Sequence, residues 1–528
     1  MARRFDIIIV GSGFGGAVTA CRAAEAGARV LVLERGRRWA PANYPRALDD
    51  PWLFDPERPS RKNGWLDVRL FRQMTVVQGA GVGGGSLCYS SVFIPAAPAA
   101  FANGWPAEIT YESLASCYAR AAEVMLPREV PDRQRTRRSA LLKTAAEAAG
   151  YGDRFSDATL AVSFDPEWHD GLPDSLAAKH SRAFRNAQGR WQGTCVHLGN
   201  CDVGCDVRAK NTLDLNYLAQ AERLGADLRP LHLVRSVEPV DGGYRVSFDR
   251  IDGGRRTAGS ETAAKVVLAA GSLGTTELLL RCRDEHGTLP NLSDALGKNW
   301  SPNANVLSPA YYQDPSLVRQ SIGPTISSML DLMDGRVDGQ RLLVEDDGFP
   351  NILLLALARP TAVARLLGFL FHMGSDPRRR LDEPNPLSKA MVWLGTGVDA
   401  ADGVLRLRRN RLRPWRRKLT LRWRPDRSRA VVEAILKVHR QLSTATGAKF
   451  RTPFYWRWLR SLVTVHPLGG CRIGNSPADG VVDHRGEVFG CPNLFVADGS
   501  LLPGAIGQNP SMTIAALAER NSEFILRG

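Results

Sequence analysis

Phe5-Asp6-Ile7-Ile8-Ile9-Val10-Gly11-Ser12-Gly13-Phe14-Gly15-Gly16 begins as a short β-branched run and breaks into glycine. Residues 17–26 are good helix formers closed by Gly27, and residues 29–33 (RVLVL) form a second buried strand ending in Glu34. Strand, loop, helix and strand inside about 30 residues make a βαβ unit. Gly11, Gly13 and Gly16 stand in the G-x-G-x-x-G spacing, with an acid about 20 residues on. The glycines provide, in turn, a tight turn, room for a pyrophosphate against the backbone, and close packing of helix on strand. The helix N-terminus offers N–H groups and partial positive charge to phosphates. Glu34 can accept from a ribose diol and repels a 2′-phosphate, which leaves NAD and FAD as candidate ligands.

Working outward, two later segments read as the same nucleotide-binding layer returning after an insertion. Residues 227–234 and 265–271 are short apolar strands, and the second leads through Gly271-Ser272-Leu273-Gly274 into a helical stretch at 275–282. Residues 244–248, with glycine pairs at Gly242 and Gly253, suggest β-hairpins between them. Residues 96–185 and 306–459 have another texture of tryptophans, prolines and charged runs.

The 528 residues are 44% hydrophobic and 23% charged, which excludes a wholly disordered or collagen-like chain and gives a prior of several domains. The longest apolar stretch, 352–373, is broken by Arg359, Pro360 and Arg365, against a bilayer-spanning helix. Met1-Ala2-Arg3-Arg4 passes straight into the first strand without the apolar segment of an export signal, so a cytoplasmic protein is expected. Nine cysteines, an odd number in that setting, argue for reduced thiols rather than a disulfide framework.

Lys and Arg exceed Asp and Glu by 69 to 54, a formal charge of +15. The arginines crowd at Arg378–Arg380 and between Arg406 and Arg429, interleaved with Trp415 and Trp423. The alternation in 404–408 and 419–423 reads as strands with one solvated charged face, so no nucleic-acid partner is expected. Beside 352–373, such a face also permits peripheral contact with an anionic membrane.

Further motifs stand at Gly79-Ala80-Gly81-Val82-Gly83-Gly84-Gly85-Ser86-Leu87, His466-Pro467-Leu468-Gly469-Gly470-Cys471, Asp498-Gly499-Ser500-Leu501-Leu502-Pro503-Gly504, Asn509-Pro510 and Ala515-Ala516-Leu517-Ala518-Glu519-Arg520. Together and in this order they resemble the glucose-methanol-choline (GMC) family of flavin oxidoreductases, with a look similar to bacterial cholesterol oxidases and long-chain alcohol oxidases. The resemblance implies FAD and an α/β fold: a discontinuous Rossmann-like FAD-binding domain (1–95, 186–305 and 460–528) and a substrate domain on a mainly antiparallel sheet (96–185 and 306–459). It implies that Gly11, Gly13, Gly16 and Glu34 hold the ADP half and that the Val234 backbone meets adenine. Gly83, Gly84 and Ser86 would lie against pyrophosphate and flavin, Ala270, Gly499 and Pro510 beside the cofactor, and Asp498 at the ribityl chain. Tyr89 departs from the family, which often has Asn there.

Oxidising an alcohol needs a hydride acceptor, the flavin N5, and a group to manage the hydroxyl proton. A histidine suits the second role because it can be neutral before the reaction and cationic after it. His466 is the candidate, on a rigid base between a short strand at 462–465 and a Pro-Leu-Gly-Gly turn. Asn509 is its implied partner facing the substrate hydroxyl, and an amide can donate to a developing oxyanion. Asn509-Pro510 also reads as N-cap and first position of a helix at 512–525, whose positive end would favour reduced flavin.

Glu345, in Leu342-Leu343-Val344-Glu345-Asp346-Asp347, reads as an acidic turn after an apolar strand. The resemblance suggests a carboxylate that moves a proton during double-bond isomerisation; the plain alternative is a solvated β-turn. Cys195, Cys201 and Cys205 stand as C-x5-C-x3-C around His197, a spacing that suits an iron–sulfur cluster or equally a reduced structural loop. His169, His180, His286, His372 and His439 have nothing beside them that suggests a role.

The expectation is therefore FAD-dependent oxidation of a hydroxyl on a bulky apolar small molecule, a sterol or long-chain alcohol, with O2 or another electron acceptor. The alternatives are a GMC dehydrogenase with an iron–sulfur relay, a non-oxidase flavin reaction on the same scaffold, and a protein that binds apolar molecules without turning them over.

Overall fold

The Phe5–Val10 strand sits inside a seven-stranded sheet in a computed structural model that describes residues 5–102, 104–352, 389–409 and 417–527. It pairs in parallel with Val30–Leu33 on one side and with the end of the long Arg255–Leu268 strand on the other. Asp227–Arg229 extends the sheet beyond Val30–Leu33, and Leu494–Val496 runs parallel to Arg255–Leu268. Ile7, Ile8, Ile9 and Val10 are all buried, as expected of a parallel strand covered on both faces. The expected hairpins are His232–Val240, Gly243–Asp252 and Arg255–Leu268, paired antiparallel at the sheet's edge.

A second, wholly antiparallel sheet of six strands orders Lys449–Phe450, Val306–Tyr311, Ala390–Gly397, Gln340–Asp347, Ser328–Val337 and Phe155–Asp157. The Arg429–Ala445 helix packs on it with Val431, Ile435, Val438 and Leu442 inward, the i, i+4, i+7 rhythm of an amphipathic face. Gly395 permits that approach, because a Cβ there would lie 2.2 Å from the Ile435 side chain. A four-stranded sheet joins the two layers through Leu53–Phe54, Leu66–Phe71, Met74–Gly79 and Leu462–Thr464. Met74 and Val76 point into the core, while Leu66, Val68, Leu70 and Val77 line a cavity on the other face.

Two segments differ from their sequence reading or lie beyond it. The acids at 345–347 are not a turn but the end of the Gln340–Asp347 strand, with Glu345, Asp346 and Asp347 buried. Strand alternation puts Glu345 and Asp347 on one face and Asp346 on the other. There Asp346 accepts from Ser327 N at 2.8 Å, Ser327 Oγ at 2.5 Å and Ser328 N at 2.6 Å. The arginine-rich strands Val404–Arg409 and Arg417–Arg422 pair as expected, burying Leu405 and Leu419 and exposing Arg406 and Arg408. All but the first residue of 352–373, together with His372, Arg378–Arg380 and Trp415, lies outside the described residues. Among the described residues no helix is long and apolar enough to cross a membrane.

The last helix, Ser511–Arg527, packs on Phe14–Glu25 and Ala115–Met125. Its Glu519 is 2% exposed and accepts from Arg22 Nε at 2.8 Å, Arg22 Nη2 at 2.9 Å and Tyr217 OH at 2.7 Å, with Arg120 Nε 3.4 Å away. Breaking a buried carboxylate from such partners strands their donors. Both arginines keep some access to water, which limits the loss. Glu519→Ala is expected to lower unfolding free energy by about 2 kcal/mol, read as a reduced urea midpoint at unchanged slope.

Candidate active site

One cavity of about 1750 Å³ runs between these layers, from the glycine loops to the antiparallel sheet. The first loop approaches its neighbours so closely that side chains are excluded. A Cβ on Gly15 would lie 1.2 Å from Ala497 O, and one on Gly16 would lie 2.1 Å from Gly11 O. A Cβ on Gly84 would lie 2.6 Å from Gly13 Cα, so the two glycine loops touch backbone to backbone. Ser12 Oγ ties them, donating to Glu34 Oε2 at 2.6 Å and accepting from Gly83 N at 3.1 Å. Glu34 Oε1 accepts from Gly36 N at 2.8 Å, which fixes the carboxylate at the end of its strand.

At Gly13 and Gly85 a Cβ would meet nothing within 4 Å; both open into the cavity. A narrow trough walled by backbone, set at the start of the Phe14–Glu25 helix, fits the diphosphate of FAD. Gly11, Gly13, Glu34, Gly84, Val234, Ala270, Asp498, Gly499, Asn509 and Pro510 line the cavity, while Gly16, Gly83 and Ser86 lie behind its surface. Ser86 Oγ braces the loop, donating to Gly83 O at 2.7 Å and accepting from Leu213 N at 3.1 Å. Asp498 clamps its own turn to the start of the Gly271–Asp284 helix. Its Oδ2 accepts from Gly271 N at 2.8 Å and Thr275 Oγ1 at 2.5 Å, and its Oδ1 from Ser500 N at 2.8 Å and Ser500 Oγ at 2.6 Å. Tyr89 turns its hydroxyl to Asn211 O at 2.7 Å, with Lys210 Nζ over its ring at 4.8 Å.

His466 follows the Leu462–Thr464 strand and is half-buried in the cavity wall. Asn305 faces its Nδ1 through Nδ2 at 3.2 Å, while Asn305 Oδ1 accepts from Val465 N at 3.0 Å. The backbone N–H can only donate, so it fixes which end of the amide is oxygen and leaves the NH2 group against the imidazole. Nδ1 must then accept, and the ring proton sits on Nε2. Burial pulls the imidazole down to about 4. A cationic ring would set Nδ1–H against the Asn305 NH2, so this geometry favours a neutral donor over the expected neutral-to-cationic base.

Asn509 does not cap the last helix as its position suggested. Pro510 O accepts from Ile514 N at 2.9 Å, so Pro510 takes the cap position and the Asn509 side chain is released. Asn509 Nδ2 instead meets Glu345 Oε2 at 3.5 Å, and Asn509 Oδ1 and Glu345 Oε1 are both buried without a partner among the described residues. Burial pushes the Glu345 carboxyl up to about 8. Once the Glu345 carboxyl is ionised, the two orphaned oxygens side by side lack a donor, which a ligand hydroxyl would supply.

The cysteine cluster does not form a metal centre. Among the described residues no group of three or more His, Cys, Asp and Glu could hold a metal ion, which corrects the iron–sulfur expectation for Cys195, Cys201 and Cys205. The reason is local. Cys195 Sγ accepts from His197 N at 3.4 Å and Cys205 Sγ from Ala209 N at 3.1 Å, and burial drives the Cys195 thiol well up. His197 stacks flat on Trp168 at 4.0 Å between ring centroids and turns Nε2 to Gln134 Oε1 at 3.3 Å.

Sequence reading did not single out Ser12, Gly15 or Asn305. Gly15 could have been found as the extra glycine inside the motif; Asn305 carries no local signal.

Comparison with known proteins gives a consistent picture. The GMC oxidoreductase family model matches residues 400–518, and an NAD(P)-binding Rossmann-like domain model matches residues 9–52. A cholesterol oxidase of Acinetobacter baumannii is 32% identical over 99% of this chain and 94% of its own length. A long-chain-alcohol oxidase of Arabidopsis thaliana is 24% identical over 98% of this chain and 66% of its own. The crystal structure of pyridoxine 4-oxidase from Mesorbium loti has the same fold, with a TM-score of 0.63 at 18% identity over 99% of each chain.

The contact between the loops gives a direct test. Gly84 combines φ of +53° with no room for a Cβ. Gly84→Ala is expected to retain less than about a tenth of the parent's flavin after purification, read by visible absorbance at equal folded content by circular dichroism.

Proposed function

The chain belongs to the GMC oxidoreductase family and is an FAD-dependent alcohol oxidoreductase, and from that premise we propose that it oxidises a hydroxyl on a bulky apolar molecule, a sterol or long-chain alcohol, to the carbonyl. The observation that carries this reading is that one cavity is lined both by a fixed N–H donor, His466 Nε2, and by Asn509, whose amide reaches back to the Glu345 carboxyl buried behind the wall. The neighbouring lining supports an apolar substrate, with Leu70, Val77, Ile326, Phe349, Leu394 and Val463. The names of the cholesterol and long-chain-alcohol oxidase relatives point the same way.

FAD, when bound, supplies the hydride acceptor; Gly11, Gly13, Glu34, Gly84 and Val234 would hold its ADP half, and Asp498, Gly499 and Pro510 would border the remainder. His466 donates from Nε2 to the substrate oxygen and orients the carbinol. Asn509 holds the Glu345 carboxylate in place through its Nδ2. The Glu345 carboxylate takes the hydroxyl proton as the carbonyl forms, and the apolar walls exclude water from the exchange. Glu345 is raised above the ordinary carboxylate range, so it is protonated below about pH 8 and competent as a base above it.

The test is flavin bleaching by an alcohol panel under anaerobic conditions. His466→Ala is expected to lower kcat by about 10²–10³, with His466→Gln, which keeps an N–H donor, recovering part of the loss. The rate should rise with pH through about 8, and that limb should vanish in Glu345→Gln. Absence of bleaching by any sterol or long-chain alcohol would overturn the reading.

A further inference from the structure

Part of the cavity wall is left unused by the proposed oxidation: Asp347, Asp202 and Ser90. Asp347 is 7% exposed, faces the cavity, and its carboxyl hydrogen-bonds to none of the described residues. The two buried cations nearby are already engaged. Lys210 Nζ gives its three hydrogens to Leu87 O at 3.1 Å, Tyr89 O at 2.7 Å and Cys201 O at 2.6 Å. Arg138 gives Nη1 to Gln320 O at 2.9 Å and Ile322 O at 2.8 Å and Nη2 to Pro324 O at 2.6 Å, while its Nε faces Asp346 at 4.0 Å. Asp202 accepts from Ser90 Oγ at 3.2 Å. Asp347 is thus a carboxyl at the wall of a largely apolar cavity with no hydrogen bond from the described residues to hold it.

A carboxyl with no hydrogen-bond partner at an apolar wall loses some of its solvation and returns nothing to the fold. Residues that weaken a fold without a structural return collect at binding sites.

We propose that Asp347, with Asp202 beside it, is a second hydrogen-bonding subsite that takes a carbonyl or hydroxyl oxygen on the substrate other than the one oxidised. Glu345 and Asp347 lie two residues apart on one strand face, about 7 Å. The substrate is accordingly a rigid apolar skeleton carrying two oxygen functions about that distance apart. Burial, then the neighbouring Asp202 and Glu345 carboxylates, push the Asp347 carboxyl well above its ordinary range. That direction favours the protonated carboxyl, whose O–H suits an oxygen acceptor rather than an ammonium group. This inference rests on the proposed oxidation of an apolar alcohol, which would place the reacting hydroxyl at Glu345.

The experiment measures binding without turnover. FAD-loaded parent, Asp347→Leu and Asp347→Asn are titrated with a rigid polycyclic monoketone and with the diketone of the same skeleton whose oxygens are about 7 Å apart, following the flavin absorbance change. In the parent the diketone is expected to bind about fivefold to tenfold tighter than the monoketone. Asp347→Leu should bring that ratio to about one while raising the melting temperature, and Asp347→Asn, which keeps a donor, should preserve most of it. Four results would overturn the proposal: a parent ratio near one, a ratio unchanged in Asp347→Leu, tighter binding of the matching amine than of the diketone, and a flavin spectrum altered in Asp347→Leu before any ligand is added. The last would mark a cofactor contact. Ketone binding needs no oxidation, so failure of alcohols to bleach the flavin would count against the proposed function and leave this result separately readable.

Discussion

Backbone contact between the two glycine loops is the constraint from which the site follows. Gly84 rests on Gly13 with no space for a side chain between them, and Ser12 Oγ bonds across the join to Glu34 and to Gly83 N. This join sets the distance between the parallel sheet and the segment leading to the four-stranded sheet. The latter carries His466 two residues beyond its edge strand Leu462–Thr464, which pairs with Met74–Gly79. The cavity therefore has its dimensions fixed by peptide groups rather than by side-chain rotamers, and peptide groups move little. The clamp at Asp498 repeats the device from the other side, holding Gly271, Thr275 and Ser500 about one carboxylate.

How much of this could be read beforehand depended on whether the signal was local. The βαβ unit was legible because strand, glycines, helix and acid fall within one short window. The arginine-rich hairpin was legible because Leu405 and Leu419 alternate with charge. The Gln340–Asp347 strand was not, since three successive acids suggest a turn, and only its neighbours make burial tolerable: Ser327 and Ser328 satisfy Asp346 on one face while the cavity receives Asp347 on the other. Asn509 misled for a related reason. An Asn before Pro resembles a helix cap, but Pro510 O takes the first helical N–H and the amide is spent on Glu345. The cysteine spacing promised ligands, yet the peptide N–H groups of His197 and Ala209 and the Trp168 ring already occupy that loop's polar groups. Asn305 was beyond sequence reading altogether, being 161 residues from His466.

The electrostatics of the site are those of a region short of charge. His466 is held low by burial and Glu345 is held high by burial, so both are neutral near pH 7. Arg138 and Lys210, the buried cations closest to the acids, are wrapped in carbonyl oxygens and do not reach the cavity as free charges. An apolar substrate entering such a cavity does not have to displace an ion pair or strip water from one, which would cost several kcal/mol.

Neutrality also decides what the polar groups can accomplish. A charged imidazole would bind the alcohol oxygen strongly before reaction, holding the ground state as firmly as the transition state and gaining no rate. A neutral N–H donor fixed by Asn305 interacts weakly with an alcohol and more strongly as negative charge gathers on the oxygen when its proton departs. The orientation of one amide, set by the Val465 N–H, thereby selects the imidazole tautomer that favours the transition state over the bound alcohol.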